Sequence, residues 1–187
     1  MTDKIEQIVD LHQRLVSDFR QRHIPTVQKA AALIVECFQR GGCVYLCGNG
    51  GSAADAQHVA GELVGRFRRS RAPLPAIALT TDASVLSCIG NDFGFDEVFA
   101  RQVEAMAGAD DLLWAFSTSG TSKNVLAAAH AARRKGAKVL AFTGRISTPL
   151  EEMAEVCLAI DAPTTAAAQE IHVLAYHVIC ELIDNSL

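Results

Sequence analysis

His58 and Glu62 lie in the stretch "CGNGGSAADAQHVAGEL", residues 47–63. On a helix, positions i and i+4 share one face, so an imidazole and a carboxylate would meet the same ligand. Such a pair can bind a metal ion or move protons. The same spacing is also common in surface contacts, and Arg66 offers Glu62 a second partner four residues on. Near the other end, "AAAQEIHVLAYHVIC" carries Gln169, His172 and His177 in an otherwise apolar segment. Histidines on apolar faces are commonly hydrogen-bonded core residues. Gln169 and His177 stand at i and i+8, ~12 Å apart on a straight helix. One metal ion cannot take both across that span. Either the helix is broken near Gln169, or a second subunit supplies one of the two.

Two loops have the composition of ligand seats. "STSGTS", residues 117–122, sets Ser117, Thr118, Ser119, Thr121 and Ser122 around Gly120. Hydroxyls and free backbone N–H groups at a helix start suit a dianionic phosphate, and the helix dipole adds to the attraction. One serine would satisfy a helix cap; five hydroxyls exceed that need. "GNGGS", residues 48–52, is less specific. It is neither GxGxxG with an acidic ribose partner nor a P-loop, because no lysine follows. It reads as a tight turn using glycine for positive φ, or as a close backbone approach to substrate with Asn49 and Ser52 as polar handles. "GNDFG", residues 90–94, reads as a turn that brings Asn91 and Asp92 toward the same ligand edge.

The elements that must position these residues are legible from periodicity. Apolar residues at helical spacing predict a helix over about 3–22, and Pro25 opens a second over about 25–40. Beyond Gly41-Gly42, short apolar runs at 43–47, 75–80, 111–116, 137–143 and 155–160 alternate with helical segments. Those segments fall near 52–65, 83–90, 95–107, 122–135 and 166–185. Continuously apolar strands alternating with helices predict a five-stranded parallel sheet covered on both faces, a three-layer α/β/α arrangement. One domain over 1–187 is expected, with two helices over 1–42 and the α/β core over 43–187. In such sheets ligands bind beyond the carboxyl ends of the strands. Both candidate loops follow strand ends there.

The bulk numbers agree with an ordinary globular chain. Of 187 residues, 50% are hydrophobic and 20% charged, and the net charge is −4. That balance argues against nucleic-acid binding. No apolar run reaches the ~20 residues of a membrane span. The amphipathic start, "MTDKIEQIVDLHQRLVSDF", is unlike a secretory signal. Six cysteines with no CxxC pair predict buried free thiols in a reducing, cytoplasmic setting. The basic cluster "GRFRRSR", 65–71, predicts a solvated, salt-bridged loop from which Arg66 alone reaches the site.

Together the strings "CGNGGSAADAQH", "ELVGR", "PAIALTTD", "GNDFGFDEVFARQVEA", "STSGTSKNV" and "QEIH" followed by His177 resemble the sugar isomerase (SIS) family. Within it they resemble the phosphoheptose isomerases of heptose biosynthesis. The resemblance implies a flavodoxin-like fold and interconversion of sedoheptulose 7-phosphate and D-glycero-D-manno-heptose 7-phosphate. It implies a zinc ion held by His58, Glu62, Gln169 and His177, with Glu62 and His177 as the acid–base pair. Asn49, Gly50, Gly51, Ser52, Glu62, Asn91, Asp92 and Gln169 would contact the sugar, and Ser117, Thr118, Ser119 and Ser122 the phosphate. It also implies a homotetramer with sites between subunits, the N-terminal helices serving its packing. The segment "GRISTPLEEM" and the alanines before Gln169 depart from the family pattern. An isomerase for another phosphosugar therefore stays open, as does a non-catalytic, protein-binding member of the family. Retention of Glu62 and His177 favours an enzyme.

Overall fold

The structure is a computed structural model and describes residues 2–187. Helix α1 (Thr2–Asp18) runs through one π-helical turn, Phe19–His23, into α2 (Ile24–Gln39), with Pro25 in its first turn. The two predicted helices are thus joined by a widened turn rather than a loop. There follow β1 (Val44–Cys47), α3 (Gly51–Val64), β2 (Ala76–Ala78) and α4 (Ala83–Asp92). After a short 3₁₀ turn come α5 (Ala100–Met106), β3 (Leu112–Ser117) and α6 (Lys123–Arg134). The chain ends with β4 (Lys138–Thr143), α7 (Pro149–Met153), β5 (Val156–Ala159) and α8 (Thr165–Ser186).

All strand pairings are parallel, in the order β2-β1-β3-β4-β5. β1 and β3 are buried along their whole length, which explains their unbroken apolar runs. Two cores lie on opposite faces. One gathers Ile34 of α2, Val59 and Leu63 of α3, Trp114, Phe116 and Phe142 of the sheet, and Ile171, Tyr176 and Ile179 of α8. The other gathers Ile89, Val103, Ala128, Ala132, Leu150 and Met153 from α4, α5, α6 and α7. The expected three layers are present.

Two local readings change. Asn91 and Asp92 are not in a turn but close the last turn of α4. Asp82 caps that helix at its start, and the chain turns only at Gly94, with φ 93°. The segment at 147–153 holds a short helix that periodicity did not indicate. Its signal is a capping box, Thr148 with Glu151, and Pro149 in the first turn. All six cysteines are free; Cys37, Cys47 and Cys180 are buried and Cys88 is exposed. No described helix is long and apolar enough to cross a membrane.

The basic cluster does more than face solvent. Asp184 of α8 accepts from Arg68 N (2.9 Å), Arg69 N (3.1 Å) and Arg71 Nε (2.7 Å). Arg71 also donates to the carbonyls of Leu63 and Glu62, at the end of α3. This buried ion pair ties the last turn of α3, and with it Glu62, to α8. Burial pushes the Asp184 carboxyl up, but the N–H donors and the Arg71 guanidinium outweigh it and hold it below the ordinary value. Asp184→Asn is expected to lower the unfolding free energy at neutral pH by about 3 kcal/mol, the scale for breaking a buried pair. A depressed carboxylate stabilises above its unfolded value of ~3.9 and loses that contribution as pH falls through the lower folded value. In urea denaturation the gap between parent and variant should therefore close below that pH. A gap that is constant with pH would refute the assignment.

Candidate active site

The strand order reverses between β1 and β3, so the loops that leave these neighbours diverge to opposite faces and open a crevice between them. β1 delivers Gly48-Asn49-Gly50, and Gly50 takes φ 55°, which a side chain would oppose. β3 delivers the serine–threonine loop. Ser122 stands at the N-cap of α6 yet makes no side-chain capping bond. Instead Ser117 Oγ donates to Ser122 Oγ at 3.1 Å and lies 3.4 Å from Ser119 Oγ. Ser119 Oγ also accepts from Thr121 N at 3.2 Å, so the three hydroxyls cluster at the start of α6, where backbone N–H groups and the helix dipole favour an anion. Asn49 and Asn124 join the loops through two reciprocal amide bonds, Asn49 Nδ2 to Asn124 Oδ1 at 2.8 Å and Asn124 Nδ2 to Asn49 Oδ1 at 2.9 Å.

Downstream on α3, His58 and Glu62 face α8. His58 Nε2 lies 3.1 Å from Glu62 Oε1 and 3.4 Å from His177 Nε2. One donor atom from each of the three lies within 4.8 Å of the others. The Tyr176 hydroxyl sits 3.0 Å from His58 Nδ1, which fixes the ring so that Nε2 faces the cluster. Phe67 stacks on His177, with centroids 5.6 Å apart. Burial, and then the neighbouring His58, lower the His177 pKa against the opposing pull of Glu62. Behind the cluster, burial pushes Asp55 up to about 6, and its Oδ2 lacks a hydrogen-bond partner.

Three of the four expected metal donors thus converge. The fourth, Gln169, does not. α8 is unbroken from Thr165 to Ser186, so a broken helix is not the answer to the distance between Gln169 and His177. Gln169 packs instead against the first loop: its Nε2 lies 3.4 Å from Ser52 Oγ. A Cβ on Gly51 would fall 2.6 Å from that same nitrogen. Tetrahedral ligands at zinc distances stand ~3.4 Å apart, so the His58, Glu62 and His177 donors fit such an ion.

His172 is a core residue. It is fully buried, its Nε2 lies 3.1 Å from Thr143 O, and burial lowers its pKa to about 4. As the neutral ring it donates that N–H to the carbonyl. Asn91 and Asp92 are exposed; Asn91 Nδ2 donates to Asp92 Oδ1 at 2.7 Å, and Cys88 lies beside Asp92. Glu62 bonds to His58 rather than to Arg66. Periodicity did not single out Asn124, Tyr176 or Phe67. The available signals were adjacency, since Asn124 follows the serine loop by two residues and Tyr176 precedes His177.

Known proteins resemble the chain along nearly its whole length. The SIS domain model matches residues 9–144. The phosphoheptose isomerase of Roseiflexus sp. (strain RS-1) is 46% identical over 99% of this chain and 92% of its own. That of Aliarcobacter butzleri is 47% identical over 94% of this chain and 93% of its own. The solved phosphoheptose isomerase of Neisseria gonorrhoeae superposes with a TM-score of 0.93 at 40% identity, covering 98% of each chain. That of Francisella tularensis gives 0.94 at 36% identity, again over 98% of each. The chain belongs to the SIS domain family.

Proposed function

We propose that the chain is an aldose–ketose isomerase that interconverts D-sedoheptulose 7-phosphate and D-glycero-D-manno-heptose 7-phosphate. The observation that carries this reading is the convergence of Glu62 with His58 and His177 where α3 packs on α8, in a chain that also carries the serine–threonine loop. Full-length relatives named phosphoheptose isomerases support the substrate.

The reaction removes a proton from the carbon beside a carbonyl and returns one to the neighbouring carbon. Glu62 is the base: Oε1 faces His58, and among the described residues Oε2 has no hydrogen-bond partner. His177, whose pKa is lowered by burial and then by His58, can accept or donate a proton at the paired position. Ser117, Thr118, Ser119 and Ser122 hold the phosphate, and so keep the far end of the sugar in register with the reacting carbons. Asn49, Gly50, Gly51, Ser52 and Gln169 contact the sugar, and Asn91 and Asp92 line it. His58, Glu62 and His177 would hold zinc, with Gln169 completing the set from another subunit. Bound zinc would polarise the carbonyl and favour its conversion to an enediol.

A homotetramer accords with α1, which buries none of its residues and leaves Ile5, Ile8, Val9 and Val16 exposed. Light scattering is expected to give four times the protomer mass of 20.0 kDa. A monomer at working concentration would remove the intersubunit role of Gln169. Glu62→Gln is expected to lower turnover of sedoheptulose 7-phosphate by roughly 10²–10⁴-fold while inorganic phosphate still binds. Parental turnover in that variant would sink the base assignment. Dialysis against a chelator should abolish most activity, and added zinc should restore it. Full activity after verified metal removal would rule out the zinc role.

A further inference from the structure

The turn that leaves β4 is fastened to the serine–threonine loop at both ends. Gly144 N donates to Thr118 O at 2.9 Å, and Leu150 N donates to Gly120 O at 3.2 Å. Neither glycine tolerates a side chain. A Cβ at 144 would lie 2.8 Å from Thr118 O, and one at 120 would lie 2.3 Å from Thr148 Cβ. Within the turn, Thr143 Oγ1 donates to Arg145 O at 2.8 Å. Ser147 is held at φ 55°, and its N–H donates to Glu151 at 2.6 Å. A residue in a left-handed conformation persists only where its surroundings over-determine it. This turn cannot swing away from the loop, and Arg145 sits between the two fastenings.

Arg145 lines a polar cavity of about 350 Å³ together with Thr118, Ser119, Thr164 and Thr165. Thr118 and Ser119 belong to the loop read above as the phosphate seat. Thr165 opens the 22-residue helix α8, whose positive dipole end faces the same space. Arg145 is exposed, and among the described residues no carboxylate pairs with it. The loop's own sequence holds no cation, and Lys123 just beyond it stands 4.0 Å from Asp96. A dianion held by hydroxyls and backbone N–H groups gains most from a guanidinium, which presents several donors in a rigid fork.

We propose that Arg145 is the cation of the phosphate subsite and a determinant of selectivity for phosphorylated over neutral sugars. The proposal rests on the reading of the serine–threonine loop as the phosphate seat. Three enzymes are compared, the parent, Arg145→Gln and Arg145→Lys, by calorimetric titration with inorganic phosphate and by steady-state turnover of sedoheptulose 7-phosphate. In Arg145→Gln, phosphate affinity is expected to fall about tenfold or more, the scale of a lost charged hydrogen bond. KM should rise by a similar factor with kcat near the parent's, and Arg145→Lys should recover part of both. Neutral sedoheptulose should be turned over equally by parent and variant. Unchanged phosphate affinity and KM in Arg145→Gln would overturn the proposal, and so would an equal loss on neutral and phosphorylated sugars. If the parent binds phosphate but does not isomerise sedoheptulose 7-phosphate, the substrate reading fails. The role of Arg145 is then decided by phosphate affinity alone.

Discussion

The reversal of strand order between β1 and β3 is the constraint on which the site depends. Two adjacent parallel strands must send their chains to opposite faces of the sheet. No backbone covers the gap between their carboxyl ends, so polar loops there stay accessible while the strands below are fully buried. The reciprocal Asn49–Asn124 pair spans this gap and satisfies both amides at once. It sets the separation of the two loops without filling the crevice, and a bulkier or apolar link would do one at the expense of the other.

A second set of ties positions the reactive groups along α3 and α8. Arg71 binds the end of α3 through backbone carbonyls and α8 through Asp184. The loop that carries it also lays Phe67 on His177. The two helices that bring His58, Glu62 and His177 together are therefore locked on both sides, by a packed core beneath and by a charged hub at the far end. Tyr176 then orients His58 from within the interface. Each tie is a contact between residues more than a hundred positions apart or across a loop.

That separation explains what could and could not be read in the sequence. Local periodicity revealed the five strands and the main helices, because burial of whole strands leaves unbroken apolar runs. The hydroxyl-rich loop was legible from composition alone. Asn91-Asp92 misled because Asn, Asp and Gly cluster as they do in turns, whereas the helix set by Asp82 simply runs on to Gly94. α7 was too short to show a period, and only its capping box marked it. The meeting of His177 with His58, and the core role of His172 five residues earlier, depend on which face of α8 turns inward. Spacing within one apolar helix does not distinguish these. The resemblance to a known family supplied that link, and the geometry supports it for three donors within one protomer.

The contact of Gly51 with Gln169 links the first loop to the last helix. The first glycine of α3 does not adopt a rare backbone angle; a glutamine amide from another helix lies where its Cβ would be. The two positions are therefore coupled in space. A larger residue at 51 would push aside the Gln169 amide, the flexible end of its side chain, and break its 3.4 Å approach to Ser52 Oγ. A side chain at 51 would therefore act at a distance, by moving the amide of α8 that borders the first loop.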